Sequence, residues 1–240
     1  MSGMKFHVPD DIIRKVNERF KKRHGRLPPD EFLSGFIFYD KGKEPSSLGG
    51  ELSIRRLINL GIPRVTKHPA IISGMIKKGG VLVDAGCGAG DDSRWFQDNG
   101  YGNVTGIDMK PNSFNLGYDF YEDRNRKYPR FIEGDVCRMP FENGSVDIVY
   151  NASLMHTFKS ERTLTDFIAE SKRILKPGGI FFGNTLCTKE NAEKNETPLR
   201  FSHMTIETEI SKAFIMKLFE TELSDEAKHI LRAYFTAVKE

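Results

Sequence analysis

From Val81 onward the chain sets short apolar runs, at 81–85, 103–107, 130–134, 146–150 and 180–185, against longer amphipathic segments. That alternation constrains the fold most, because short apolar runs of this kind suit strands buried on both faces, and the amphipathic segments suit helices that cover them. Strands that alternate with helices imply parallel βαβ units, hence an α/β architecture. Before the last run, Leu164, Phe167, Ile168 and Leu175 fall on one helical face that runs into Lys176-Pro177-Gly178-Gly179, a stop built from a helix breaker and two turn residues. Further on, a helix is expected around Thr205 to Ala213, followed by two β-like runs, Phe214 to Leu223 and Leu231 to Val238. Those two would pair antiparallel and close the sheet edge, the last being alternatively a helix that starts at Ser224.

The first 78 residues read as helical. Ile13, Val16 and Phe20 recur at helical spacing among the basic residues Arg14, Lys15, Arg19, Lys21, Lys22 and Arg23, and Gly25 with Pro28-Pro29 ends that helix. An aromatic group follows (Phe32, Phe36, Phe38, Tyr39), then a loop from Gly42 to Gly50. A short helix is expected over Leu52, Ile54, Leu57 and Ile58, and another, begun near Pro69, over Ile71, Ile72, Met75 and Ile76. Residues 1–78 are thus expected to be an extension or lid of the domain formed by 79–240. A chain of 240 residues can bury one substantial core, and its formal charge of +3 is too small to name a nucleic-acid or membrane partner. No apolar run is long enough to span a bilayer and no signal-like stretch is present, so a cytoplasmic location is expected. Cys87, Cys137 and Cys187 are odd in number and far apart, which suggests reduced thiols and neither a disulfide framework nor a metal site.

The chemistry centres on Asp84-Ala85-Gly86-Cys87-Gly88-Ala89-Gly90, a strand feeding a glycine turn and then a helix through Trp95 and Phe96. Glycines let the backbone turn tightly and approach a ligand. Position 91, where a dinucleotide fingerprint would hold its third glycine, is Asp91. With Asp92 it places carboxylates where a pyrophosphate would sit, and the lysine of a phosphate-binding P-loop is absent. A phosphate-free adenosine bearing a positive sulfonium and amino group near Asp84 fits better.

These residues resemble the first motif of class I S-adenosylmethionine-dependent methyltransferases, and later segments follow in the family's order. Val104-Thr105-Gly106-Ile107-Asp108 resembles the second-strand motif, and Gly134-Asp135-Val136 the third-strand motif. Ser145-Val146-Asp147-Ile148-Val149-Tyr150-Asn151 and Leu175-Lys176-Pro177-Gly178-Gly179 resemble the fourth- and fifth-strand signatures. The resemblance implies a Rossmann-like, doubly wound, mostly parallel seven-stranded sheet with an antiparallel C-terminal edge strand. It also implies that S-adenosylmethionine is the cofactor. Asp84, Gly86, Cys87, Gly88 and Gly90 would form the methionine-side floor, Asp108 would hold the ribose hydroxyls, and Asp135 with Val136 the adenine. Met109 and Asn151, beside these strand ends, complete the candidate contacts.

His156 follows the fourth strand and is the candidate catalytic base, because a neutral imidazole can take a proton from a hydroxyl, amine or acidic carbon near physiological pH. The Asn/Asp-Pro-Pro-aromatic motif of base-amino methyltransferases is absent, since Asn151-Ala152-Ser153-Leu154 stands there. A small organic acceptor is therefore expected. An RNA or protein methyltransferase using the basic run Arg14 to Arg26, or an inactive cofactor-binding partner subunit, are the alternatives. Lys189, Lys194 and Arg200, in the polar loop from Thr188 to Arg200, are candidate contacts for an acidic acceptor group.

Overall fold

The computed structural model describes residues 10–30, 32, 57, 59–158, 160–188, 204–211 and 230–240. Helix α1 (Asp10–His24) opens with Asp10 and Asp11 and closes with Lys21, Lys22, Arg23 and His24, which suits the helix dipole at both ends. Its buried stripe is Ile12, Val16 and Phe20, with Ile13 only partly buried. Gly25, at a φ of 74°, ends it by donating its N–H to the Lys21 carbonyl at 2.8 Å. A 3-10 turn (Val65–Lys67) and one helical turn, α2 (Pro69–Ile72), follow. The helix expected over 71–76 is thus a single turn, and Ile72 and Met75 lie exposed instead of packed. Phe36, Phe38, Tyr39, the Gly42 to Gly50 loop and most of the helix expected around Leu52 lie outside the described residues.

The sheet order is β3-β2-β1-β4-β5-β7-β6. The strands are β1 (Val81–Ala85), β2 (Asn103–Asp108), β3 (Arg130–Glu133), β4 (Val146–Ala152), β5 (Leu175–Thr188), β6 (Met204–Ser211) and β7 (Ile230–Lys239). The first five are parallel. Helices α3 (Asp91–Asp98) and α4 (Pro111–Tyr121) connect β1 to β2 and β2 to β3, and α5 (Glu161–Ile174) connects β4 to β5. Alternation along the strands splits the core into two layers. Val83, Ala85, Val149 and Phe181 meet Leu164 and Phe167 of α5, while Leu82, Val104, Ile148, Tyr150 and Phe182 meet Phe96 of α3. A third cluster seats α1, through Val16 and Phe20, on Leu116 and Phe120 of α4.

The C-terminal part corrects two expectations. The strand β6 stands where a helix was expected from Thr205, because Met204-Thr205-Ile206-Glu207-Thr208-Glu209-Ile210 alternates with period two and carries β-branched residues that suit a pleated ladder. The antiparallel strand β7 lies between β5 and β6, so the final strand of the chain is one place in from the edge. The run Phe214 to Leu223 lies outside the described residues. Leu175, expected on the face of α5, begins β5 instead. Between Leu175 and Ile180 the register against β4 shifts, so Lys176 to Gly179 bulge out, with Gly178 at a φ of 75°. Lys176 uses the bulge to reach Asp147 at 2.7 Å, and the same carboxylate accepts the Val81 N–H at 2.8 Å. Among the described residues no helix is long and apolar enough to cross a membrane.

Candidate functional site

Strand β1 has β2 on one side and β4 on the other, so the chain reverses its progression across the sheet at β1. Ligands of open α/β sheets bind at such a switch point, outside the carboxyl ends of the strands. The glycine turn occupies that place. Gly86, Gly88 and Gly90 have φ values of 76°, 57° and 75°, a left-handed backbone that side chains disfavour. Gly86 and Cys87 donate their N–H groups to the Ile107 carbonyl at 2.8 and 3.0 Å, and Gly90 to that of Cys87 at 2.9 Å.

The three glycines do different things. A Cβ on Gly90 would lie 2.4 Å from the Phe131 ring, and one on Gly86 would press on Leu154 at 3.0 Å, whereas one on Gly88 meets nothing within 4 Å. Gly88 therefore borders open space, a cradle that a side chain would fill. Replacing Gly90 with alanine is expected to unfold the turn, while Gly88→Ala should cost the fold only about 1–2 kcal/mol of backbone strain. The contrast is read by urea denaturation beside ligand titration. Loss of ligand binding with the fold retained at Gly88→Ala marks the close approach, and full binding by that variant would rule it out.

A guanidinium props the turn from beneath. Arg94 of α3 is 2% exposed, and it forks onto Asp123 through Nε and Nη2 at 2.8 and 2.9 Å. Its Nη1 donates to the Ala89 carbonyl at 2.6 Å and reaches that of Gly90 at 3.2 Å. The Tyr121 and Phe131 rings lie 4.3 and 4.7 Å from its carbon. Helix α4 closes the far side through Gly117, where a Cβ would stand 1.9 Å from the Ala89 carbonyl oxygen. None of Arg94, Gly117 and Phe131 is visible as a site residue in the sequence. An arginine beside Trp95 and Phe96 reads as a surface residue until α4 is folded over it.

The predicted carboxylates separate into two kinds. Asp108, at the end of β2, is half-buried, and accepts the Gly88 N–H on Oδ2 and the Lys110 N–H on Oδ1, both at 3.0 Å. A carboxylate has about four acceptor positions, so Asp108 retains two beside the open cradle. Asp135 is exposed and turns onto the Cys137 N–H at 2.9 Å. Met109 is 66% exposed, Val136 and Cys87 are buried, and Asn151 is buried with its Nδ2 on the Ala85 carbonyl at 2.9 Å. Asp84, by contrast, lies under the turn, 2% exposed, accepting the Ser93 hydroxyl at 2.5 Å. Asp91 and Asp92 point away from the cradle. Asp91 accepts the Gly61 N–H at 2.8 Å and the Tyr121 hydroxyl at 2.6 Å; Asp92 accepts the Arg64 and Val65 N–H groups and the Tyr150 hydroxyl. The expectation that they guard a phosphate position is corrected to a different use: they moor the segment 61–65 to the start of α3.

That segment continues to His68, which caps α2 by accepting the Ala70 N–H on Nδ1 and bonds the Gly183 carbonyl of β5 through Nε2 at 2.9 Å. Burial holds its imidazole near a pKa of about 4, so it is neutral. Residues 61–68 thus form a strap across the strand ends. The basic run Arg14 to Arg26 is partly committed to the fold as well: Arg19 donates to the Leu60 carbonyl at 3.0 Å, Arg23 stacks on Tyr121 at 4.4 Å, and Arg26 pairs with Glu122.

Burial, with the nearby Asp92 charge, raises the Asp84 carboxyl to about 7. Its pKa in an unfolded chain is about 3.9, so between these values the folded chain holds the proton more tightly. The stability it contributes falls as pH rises through that window and stays low above about 7. The stability advantage of Asp84→Asn over the wild type should accordingly widen between pH 4 and 7 and then level off, as measured by urea denaturation; a difference constant with pH would contradict it. Burial likewise pushes the Cys87 thiol well up and the Cys137 thiol to about 11, and both are free.

After β4 the chain turns through Ser153, at a φ of 57°, whose N–H bonds the Asn184 carbonyl at 2.8 Å. This turn sets Leu154 against Gly86 and leads into a 3-10 helix, Met155–Thr157, which carries His156. Lys189, Lys194 and Arg200 lie outside the described residues. Among the described residues no group of His, Cys, Asp and Glu has the arrangement of a metal site.

A doubly wound sheet with a glycine turn at the switch point and an acidic residue ending the second strand defines a Rossmann-like domain. Residues 83–183, somewhat under half of the chain, match the family described as a methyltransferase domain. The uncharacterized chloroplastic methyltransferase At2g41040 of Arabidopsis thaliana is 36% identical over 113 residues, 45% of this chain and 31% of that protein. Methyltransferase adrK of Penicillium roqueforti is 29% identical over 80% of this chain and 72% of its own. In fold, the chain is similar to the geranyl diphosphate C-methyltransferase of Streptomyces coelicolor, with a TM-score of 0.60, 17% identity, and 96% and 97% of the two chains covered. The alignments with the two Arabidopsis relatives cover 31% of the length of each, about a third.

Proposed function

We propose that this chain transfers a methyl group from S-adenosylmethionine to a small organic acceptor. The observation that carries the reading is the open cradle over Gly88, bordered by an Asp108 carboxylate with acceptor positions to spare. A vicinal diol supplies two donors to such a carboxylate, and no phosphate partner is required. In this reading Asp108 holds the ribose hydroxyls, Asp135 accepts from the adenine amino group, and Val136 and Met109 supply apolar surface to the ring. Gly86, Cys87, Gly88 and Gly90 form the floor. Asn151 fixes the end of β4 against β1, and buried Asp84 acts through its charge on the cationic end of the ligand.

When bound, the cofactor supplies an electrophilic methyl group and departs as a neutral thioether, so the protein need not protonate the leaving group. The work left to this chain is to align the acceptor and exclude water, with residues 1–78 as an extension or lid of the same domain. His156 is the proposed base, from its place after β4. Small acceptors are favoured by relatives named for them, such as sterol 24-C-methyltransferase ERG6B of Gibberella zeae, 34% identical over 110 residues covering 44% of this chain, and by the engagement of Arg19, Arg23 and Arg26 within the fold.

The test is incubation of the chain with methyl-labelled cofactor and a metabolite extract, beside calorimetric titration with the cofactor. A labelled small molecule is the expected result. Binding without a product would favour an inactive partner subunit, and label in RNA or protein would move the acceptor class. His156→Ala should lower turnover far more than cofactor affinity; equal loss of both would make the histidine structural.

A further inference from the structure

The connections within the parallel sheet run through helices, except the one from β3 to β4. Residues 134–145 cross the width of β2 and β1 without regular structure, about 14 Å at the usual strand spacing. A backbone with no ladder of its own needs partners elsewhere, and α5 supplies them. Glu170 accepts the Met139 N–H at 2.6 Å, while Arg173 donates to the Met139 and Phe141 carbonyls at 3.1 and 2.9 Å and to Asn143 Oδ1 at 2.7 Å. The two side chains lock each other, with Arg173 Nε and Nη2 on the Glu170 carboxylate, both at 2.7 Å. That fork holds the Glu170 carboxyl below the ordinary glutamate range, against burial and the nearby Asp135 charge, which both push it up. The pair is therefore charged at neutral pH.

The clamped loop carries Asp135 and Val136, the two residues assigned above to the adenine. They stand between two fixed points: Gly134 donates its N–H to the Asp108 carbonyl at 3.1 Å on one side, and Met139 hangs on Glu170 on the other. Val136 and Met139 are buried in the core layer of Leu164 and Phe167, which sets the depth of the loop. Apolar burial is non-directional, however, and leaves the loop free to slide along α5; hydrogen bonds of fixed geometry do not. Asp135 itself is exposed, and an exposed carboxylate on an unsupported loop would lose affinity to the cost of ordering it. We propose that Glu170 and Arg173 are positioning residues, which hold the loop so that the Asp135 carboxylate meets the adenine amino group at hydrogen-bonding geometry. The inference rests on the assignment of Asp135 to that group, and the pair acts through Asp135.

The purine analogue of S-adenosylhomocysteine, which lacks only the 6-amino group, isolates the hydrogen bond in question. In calorimetric titrations of the full chain, the wild type should bind S-adenosylhomocysteine about 10- to 100-fold more tightly than this analogue. Glu170→Ala and Arg173→Met should each cut that ratio below about threefold, by weakening S-adenosylhomocysteine and sparing the analogue. Glu170→Gln keeps an acceptor for the Met139 N–H and should recover part of it. A ratio that survives in either of the first two variants, or an equal loss for both ligands, would overturn the proposal, since a merely structural role weakens both alike. One check needs no variant to fold: in the ligand-free wild type the Met139 amide should be protected from hydrogen exchange, and an unprotected amide would remove the clamp. A wild-type ratio near one would overturn the adenine assignment itself. A ratio that Asp135→Ala abolishes and Glu170→Ala leaves intact would overturn the role of the pair alone.

Discussion

Replacing Arg94 with methionine is expected to destabilise the chain by about 3–5 kcal/mol, the range for removing one member of a buried ion pair. The substitution leaves Asp123 without its bidentate partner and the Ala89 carbonyl without its guanidinium donor, while the Gly90 carbonyl keeps the backbone N–H of residue 94, in a site where Arg94 is 2% exposed. Methionine is close enough in volume to fill much of the space between Tyr121 and Phe131, so the loss reports charge and hydrogen bonding more than a cavity. Because the lost carbonyl contacts belong to the glycine turn, cofactor affinity should fall as well, even under conditions where the variant remains folded. Urea denaturation gives the stability and calorimetry the affinity. A loss under about 1 kcal/mol would mean that the turn supports itself.

Asp108→Ala is expected to act in the opposite sense, weakening S-adenosylmethionine by at least about 100-fold with little loss of fold. Each charge-assisted hydrogen bond is worth about 1.5–3 kcal/mol, and two are expected to the ribose. Within the protein Asp108 accepts two backbone N–H groups, those of Gly88 and Lys110, and neither is deeply buried. Water can replace the carboxylate there at modest cost. Affinity unchanged in the titration would remove Asp108 from the ribose site.

The two substitutions also mark the line between what the sequence discloses and what it hides. Asp108 is legible because it ends an apolar run at a fixed distance from a glycine turn, and strand ends are read from local pattern. Arg94 is not, because its partners come from α4 and β3, and no spacing on α3 announces them. Asp91 and Asp92 show the reverse error. Their position at a helix start suggests a relation to the ligand, yet they accept from Gly61, Arg64, Val65, Tyr121 and Tyr150. A carboxylate near a helix terminus is placed by sequence; where it points is decided by whatever segment packs against it.

The same division holds for the fold. The five parallel strands and the helices between them follow from hydrophobic periodicity, which is a local property repeated along the chain. Strand β6 stands where the sequence suggests a helix, because the pleated ladder that β7 offers to Met204–Ser211 comes from a segment distant in the chain. By itself the sequence determined the βαβ order, the glycine turn and the acid at the end of β2. The tertiary structure alone decided that Arg94 and Gly117 hold the turn in shape and that the strap bridges α3 and β5. The physical reason is that periodicity and turn chemistry act between neighbours in sequence. The pairing of a buried charge is settled only when distant segments exclude water around it.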